Sequence, residues 1–107
     1  MDLAIFFKAL SDESRLRIVS ILFKGDMCAC QIVKYLPVTQ STASRHLSAL
    51  QHAGIIKYKK ESRKHIYSLN KNLPLPVKEI LRLVHENKRI RTAAEDFENV
   101  ESVAHES

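Results

Sequence analysis

Two cysteines stand two residues apart, Cys28 and Cys30, and they are the only cysteines in the 107-residue chain. Thiolates are soft ligands, so the pair could bind a thiophilic ion. The pair could also be oxidised as a redox couple. A third interpretation needs no chemistry, since cysteines often serve as small buried apolar residues. Spacing alone leaves these three interpretations open.

The elements around the two cysteines complicate their use as a pair. The sequence predicts a short helix over residues 27–36, which ends before Pro37. On a regular helix, residues i and i+2 point about 160° apart. Both sulfurs could then hold one ion only if the first helical turn unwinds, and a disulfide between them would be strained. We therefore expect ligation to deform this helix and to act as a switch.

A second chemically distinctive stretch is residues 39–54, which the pattern predicts to be a helix over 40–53. Thr39 is a good N-cap and Gly54 a good stop, with Ala43, Leu47 and Leu50 on one apolar face. The other side offers hydroxyl, amide and guanidinium groups that could contact base edges and phosphates. The candidate DNA contacts here are Thr39, Gln40, Ser41, Ser44, Arg45 and His46. His46 falls beside the apolar stripe, so packing is the alternative for it, and a solvated polar face is the alternative for the whole set.

A cluster of positive charge follows at residues 57–64, with five Lys or Arg and the single acid Glu61. Short β-branched and aromatic runs at 55–58 and 66–69 flank it, which predicts a hairpin with a basic tip. Such a tip is either a solvated turn or a group of phosphate contacts. The candidate phosphate-binding residues are Lys59, Lys60, Arg63 and Lys64.

The remaining elements must position these groups. Apolar spacing predicts helices over 2–10 and from a cap within residues 11–13 to about Phe23, and a last helix of about 20 residues from Pro74. The expected fold is mostly α with a small β-hairpin, in the order α-α-α-α-β-β-α, a winged helix-turn-helix whose two central helices are 27–36 and 40–53. The last helix keeps an apolar stripe through Ala94 and Phe97, and we expect the first helix and a second copy of the chain to cover it. One domain is expected over 1–98, with a frayed acidic tail over 99–107.

Composition limits the function. The net charge is +5, the sequence pI is about 9.4, and no apolar run approaches the roughly 18 residues of a membrane span. Without a signal-type start or a disulfide framework, we expect a cytoplasmic protein with reduced thiols and no membrane partner. With two glycines and no phosphate loop or Ser elbow, an enzyme is not expected. A winged helix that binds protein or RNA remains the alternative to a DNA-binding protein.

Three separate segments resemble the ArsR/SmtB family of winged-helix repressors. Residues 8–18, KALSDESRLRI, are similar to the family's KALSDPTRLRIL; residues 44–47 read SRHL as in the family; and residues 52–56, HAGII, are similar to xAGLV. The resemblance implies a homodimeric repressor of double-stranded operator DNA, joined through its first and last helices. It also implies near-palindromic sites and release by an inducer. It implies no required cofactor.

The cysteines lie in a segment that resembles this family's metalloid box. Residues 26–32, DMCACQI, are similar to ELCVCDL, which implies that Cys28 and Cys30 bind As(III) or Sb(III) as inducer. Members with three thiolates have a third Cys where this chain has Val33, so water, a small thiol or another side chain would be the third ligand. A two-thiolate site, another soft ion, a redox pair and a remnant remain alternatives. The family's zinc site on the last helix is not expected, because His85, Glu86 and Asp96 lack its paired spacing.

Overall fold

A computed structural model describes residues 1–91 of the chain. The elements, in order, are helices α1 (Leu3–Ala9) and α2 (Glu13–Leu22), strand β1 (Met27–Cys28), helices α3 (Ala29–Val33) and α4 (Gln40–His52), strands β2 (Ile56–Glu61) and β3 (Lys64–Leu69), and helix α5 (Leu75–Glu86). The predicted winged helix-turn-helix is confirmed, with α3 and α4 as its two central helices and β2 and β3 as the wing.

Side-chain caps fix where the helices begin. Asp2 accepts from the Ile5 N–H at 3.1 Å to open α1, and Asp12 accepts from the Arg15 N–H at 3.2 Å to open α2. Pro74 precedes α5 and Pro76 lies in its first turn, where a missing N–H costs little. These caps lie where the sequence pattern placed the helix starts.

Helix α2 is the central element of the core. Four of its residues, Ile18, Val19, Ile21 and Leu22, are almost fully buried. They pack in one cluster with Phe6 of α1 and with buried residues of α3, α4 and α5. The core therefore holds the helix-turn-helix against α2 and α5 in a fixed orientation.

The sheet has one strand more than predicted. It is antiparallel in the order β1-β3-β2, with Met27 opposite Tyr67 and Cys28 opposite Ile66. The sequence prediction placed residues 27 and 28 in the third helix, and this was wrong. Two residues are too few to show the alternation that marks a strand, and only pairing with the distant β3 makes them one.

The third and last helices also differ in length from the predictions. Helix α3 ends at Val33 and continues to Leu36 as a turn with i to i−3 hydrogen bonds, rather than as the regular helix predicted to residue 36. Helix α5 ends at Glu86, because the extended backbone of the next residue, Asn87 (ψ 118°), interrupts it before a short helical turn at residues 88–91. The predicted positions Ala94 and Phe97, the domain limit at 98 and the tail at 99–107 lie outside the described residues.

Candidate nucleic-acid interface and thiol site

Helix α4 has one buried face and one exposed face. Ala43, Leu47 and Leu50 are at most 1% exposed and join the core. The C-terminus ends in a Schellman motif, in which the Ile55 N–H donates to the Leu50 carbonyl and Gly54 has a φ of +80°. The packing at one side and the glycine stop fix how far the helix projects and which side faces outward.

The exposed face of α4 presents four of the predicted contact residues. Gln40, Ser41, Ser44 and Arg45 are all exposed in the first two turns. Thr39, also exposed, caps the helix by accepting from the Thr42 N–H at 3.2 Å, and Arg45 Nη2 donates to Thr42 Oγ1 at 3.4 Å. Thr39 therefore orders the amino end of the helix, where free N–H groups can also meet an anion.

His46 faces away from this exposed side. Arg15 Nε of α2 donates to His46 Nδ1 at 3.1 Å, and His46 Nε2 lies 3.9 Å from Asp12 Oδ1. The side chain of His46 is 13% exposed. The ring therefore holds α4 against the start of α2, which favours the packing alternative over direct contact with DNA. Sequence spacing could not identify Arg15 as its partner, because the two residues are 31 positions apart.

The wing carries exposed cations on both faces. Lys59, Lys60, Arg63 and Lys64 are all exposed, at or near the turn that joins β2 to β3. Lys60 lies opposite His65, and Lys59 lies opposite Ile66 on the other face, since successive residues of a strand alternate. Ser62 turns the chain with a φ of +57°, between the paired residues Glu61 and Lys64. This short hairpin projects a positively charged tip from the same fold that presents α4.

Aromatic rings stiffen one face of the wing. Tyr58 lies opposite Tyr67, with ring centroids 5.9 Å apart, and 5.2 Å from the ring of His65. Burial raises the pKa of the Tyr67 phenol above its ordinary value of 10.0, and the neighbouring Tyr58 raises it further. The phenol of Tyr67 is therefore neutral at physiological pH and contributes packing to the wing.

The two cysteines are joined by a disulfide, with their Cα atoms 5.4 Å apart. The expectation that a helix would hold the two sulfurs apart was wrong. Cys28 is the N-cap of α3 and has extended backbone (ψ 162°), so only Cys30 lies within the helix. The sulfurs can meet without unwinding a turn, and Gln31 Oε1 accepts from the Cys28 N–H at 3.0 Å to close the cap.

The thiol site adjoins the tip of the wing. A cleft of about 320 Å³ is lined by Cys28, Ala29, Cys30, Arg63, Lys64 and His65. Within residues 1–91, no group of three or more His, Cys, Asp or Glu side chains could hold a metal ion. Among these described residues, no third side chain of those types therefore joins Cys28 and Cys30 as a metal ligand.

His85, the zinc candidate on α5, has a different environment. Its Nδ1 lies 3.1 Å from Ser20 Oγ, and its ring stacks on Phe23 at 4.6 Å. These contacts hold α5 on α2, and Asp96 lies outside the described residues. Across the described part of the chain, no helix is both long and apolar enough to cross a membrane.

Comparison with known proteins supplies the relatives of this fold. A family model described as "Bacterial regulatory protein, arsR family" matches residues 12–58. An uncharacterized HTH-type transcriptional regulator of Methanocaldococcus jannaschii is 42% identical over 84 residues, which cover 78% of this chain and 91% of that protein.

Two further relatives have names that state a resistance function. A cadmium resistance transcriptional regulatory protein, a CadC homolog of Staphylococcus aureus, is 42% identical over 71 residues, covering 65% of this chain and 59% of that protein. An arsenical resistance operon repressor of Staphylococcus xylosus is 36% identical over 69 residues, covering 64% of this chain and 66% of that protein. The chain therefore spans about three fifths of the first protein and just under two thirds of the second.

Solved structures agree with the architecture. HlyU from Vibrio cholerae superposes with a TM-score of 0.70 at 27% identity, over 80% of this chain and 90% of that chain. A homodimeric winged helix-turn-helix DNA-binding domain from Mycobacterium bovis gives a TM-score of 0.64 at 25% identity, over 97% of this chain and 79% of that chain. Both likenesses extend beyond the segment that the family model matches.

Proposed function

Because this chain belongs to the ArsR family of bacterial regulatory proteins, we propose that it is a DNA-binding transcriptional repressor, released from its operator by a thiophilic inducer at Cys28 and Cys30. The observation that carries this proposal is the exposed polar face of α4 beside a wing with five exposed cations. In this proposal the protein acts in the cytoplasm, where it has access to the chromosome, and it catalyses no reaction.

The proposed contacts with DNA divide into two groups. Gln40, Ser41, Ser44 and Arg45 would lie in the major groove, and Thr39 would contribute as the cap at the phosphate-facing end. The wing residues Lys59, Lys60, Arg63 and Lys64 would contact the flanking phosphates. His46 would act indirectly, by fixing α4 on α2 through Arg15.

Two copies of the chain would be needed to read a near-palindromic operator. Large apolar side chains are left exposed on α1 and α5, namely Leu3, Phe7, Leu75 and Leu83. Pairing these helices across a two-fold axis would cover them, and the Mycobacterium bovis neighbour is itself homodimeric. The two α4 helices would then enter major grooves about 34 Å apart.

The surroundings of the thiols favour trivalent arsenic or antimony over divalent soft cations. The six described residues that line the cleft include Arg63 and Lys64 but no carboxylate. Positive side chains oppose the approach of a divalent cation, whereas trivalent arsenic reaches the site as a neutral hydroxide. Two thiols displace two hydroxides as water, forming two S–As bonds and leaving one hydroxide on arsenic. The name of the Staphylococcus xylosus relative supports this choice, and that of the CadC homolog supports another soft ion as the alternative.

A redox-sensing repressor is the second candidate, and the disulfide between Cys28 and Cys30 is the observation that favours it. In this case an oxidant takes two electrons from the two thiols, and the bond that forms joins β1 to α3. Both candidates place the signal at the same sulfurs, and they differ in whether an ion or an oxidant provides it.

The test is operator binding by fluorescence anisotropy with reduced protein, with and without arsenite, beside a Cys28→Ser/Cys30→Ser variant. We expect arsenite to release the wild type and to leave the variant bound. Tight binding that arsenite does not change would reject the metalloid inducer and retain the DNA-binding proposal. Charge reversal at Arg45 and Lys60 should abolish binding to DNA; if it does not, the winged helix serves another partner.

A further inference from the structure

The cleft between the cysteines and the wing tip combines a reactive sulfur with fixed positive charge. Cys28, Ala29 and Cys30 form one side, and Arg63, Lys64 and His65 form the other. We infer that this cleft binds a low-molecular-weight disulfide bearing carboxylates, and that Cys30 forms a mixed disulfide with it. This inference deepens the redox alternative of the proposed function, because it names the chemical class of the oxidant, and its test needs neither DNA nor a metalloid.

The two cysteines differ in access, which sets their order of reaction. Cys30 is exposed at the start of α3, whereas Cys28 is 3% exposed in β1. An external disulfide can therefore reach Cys30 first, and the Cys30 thiolate can attack it. Cys28 is held within bonding distance of Cys30 and can react only in the second step.

The chemistry balances without a further reactant. The Cys30 thiolate attacks one sulfur of the external disulfide, the new S–S bond forms as the old one breaks, and one small thiolate leaves and takes a proton from water. The Cys28 thiolate then attacks Cys30 Sγ, releasing the second small thiolate. The external disulfide has gained two electrons, and the chain now holds the Cys28–Cys30 bond that the structure shows.

The charge of the cleft selects the class of disulfide. Arg63 and Lys64 lie at the turn of the wing and line the cleft, and no carboxylate is among its described lining residues. Their positive charge also stabilises the anionic sulfur that must attack. A carboxylate on the incoming molecule can pair with these side chains while its disulfide meets Cys30, whereas an amine in the same place would be repelled.

This arrangement connects the modification to the wing. The residues that would hold the carboxylates, Arg63 and Lys64, are also two of the four proposed phosphate contacts. A mixed disulfide on Cys30 therefore places negative charge beside the tip at the first step, before the internal disulfide forms. The second step removes that charge and leaves β1 bonded to α3.

The experiment uses the reduced Cys28→Ser variant, in which the mixed disulfide on Cys30 cannot resolve. Three small disulfides of similar size serve as probes: dianionic 3,3′-dithiodipropionate, neutral bis(2-hydroxyethyl) disulfide and dicationic cystamine. The rate of the mass increase is followed by intact-protein mass spectrometry, and each rate is divided by that of a small cysteine peptide. We expect the anionic probe to exceed the neutral one by about fivefold, and the cationic probe to fall below it by a similar factor.

Matched variants locate the effect. Adding Arg63→Gln and Lys64→Gln should make the rates with the three probes alike, and it should lower the neutral rate as well, because the attacking thiolate loses the cations that stabilise it. Salt at 0.5 M should weaken the charge preference in the parent. Adding Lys71→Gln and Lys78→Gln, exposed cations that line a different cleft, should leave it intact. Equal normalised rates for the three probes, or a preference that survives loss of Arg63 and Lys64, would overturn the inference.

The order of the two steps has its own control. In a Cys30→Ser variant the remaining thiol, Cys28, should react at least about tenfold more slowly with every probe, because it is buried. The wild type should lose two hydrogens and retain no adduct at the end point. Equal reactivity of the two single variants would reject Cys30 as the entry point.

Discussion

The contribution of the wing can be measured at one residue, Lys60. It is exposed, lies opposite His65 in the hairpin, and is one of four cations proposed to contact phosphate. Each cation that neutralises a phosphate adds about 0.9 to the slope of log affinity against log salt, so the eight wing cations of a dimer give a slope of about −7. Lys60→Gln removes two of them and should reduce the slope by about 1.8.

The assay is anisotropy of labelled operator DNA between 0.05 and 0.2 M salt. Over that fourfold range of salt, the affinity of both proteins falls. A slope change of 1.8 means that the factor by which it falls is about twelve times smaller for the variant than for the wild type. Lys78→Gln, an exposed cation on α5, is the matched control and should leave the slope unchanged. An unaltered slope in Lys60→Gln would refute the assignment of the wing to phosphate contact, and an equal change in Lys78→Gln would show that only net charge matters.

Three further predictions concern stability and are checked by urea or pH unfolding followed by circular dichroism. Thr39→Ala should lower the free energy of unfolding by about 1 kcal/mol, because the α4 cap is lost, and Thr39→Ser should restore it. Arg15→Met should lower the free energy of unfolding by about 1–3 kcal/mol, because the partly buried His46 loses its hydrogen-bond donor. If that is the cause, replacing the imidazole as well, in Arg15→Met/His46→Leu, should lower the free energy of unfolding no further. The raised pKa of Tyr67 means that its contribution to stability is complete below pH 10 and is lost as the pH rises through the folded-state pKa, so Tyr67→Phe should be less sensitive to pH above 10 than the wild type. Identical alkaline profiles for these two proteins would contradict this prediction.

The helical part of the fold could be predicted from the sequence because its signals are local. Asp12 and Thr39 are caps at the positions where the apolar spacing begins, and Gly54 stands where α4 must stop. The wing hairpin was equally visible, since its two apolar runs flank a short charged turn. Such patterns act within about four residues and need no knowledge of distant contacts.

The features that the sequence pattern missed depend on contacts between distant residues. Strand β1 exists only because Met27 and Cys28 pair with Tyr67 and Ile66, about 40 positions away. The hydrogen bond from Arg15 to His46 likewise joins two helices, and the residue spacing within either helix does not predict it. The exposed side of α4 could be predicted from the spacing except at His46, whereas Arg15, which holds the helix in place through His46, could not.

The thiol site shows what this long-range pairing changes for function. If Cys28 were helical, any signal at the two sulfurs would act on the first helix of the helix-turn-helix alone. Because Cys28 pairs with Ile66 in the wing and also caps α3, a bond or ion that joins it to Cys30 connects the wing strand to that helix directly. One chemical event can thus act on the two elements proposed to contact DNA, α4 through its neighbour α3 and the phosphate-binding tip through β3. A regulator that senses at this position needs no signal from a distant site, because the sensing residues are part of the DNA-binding unit.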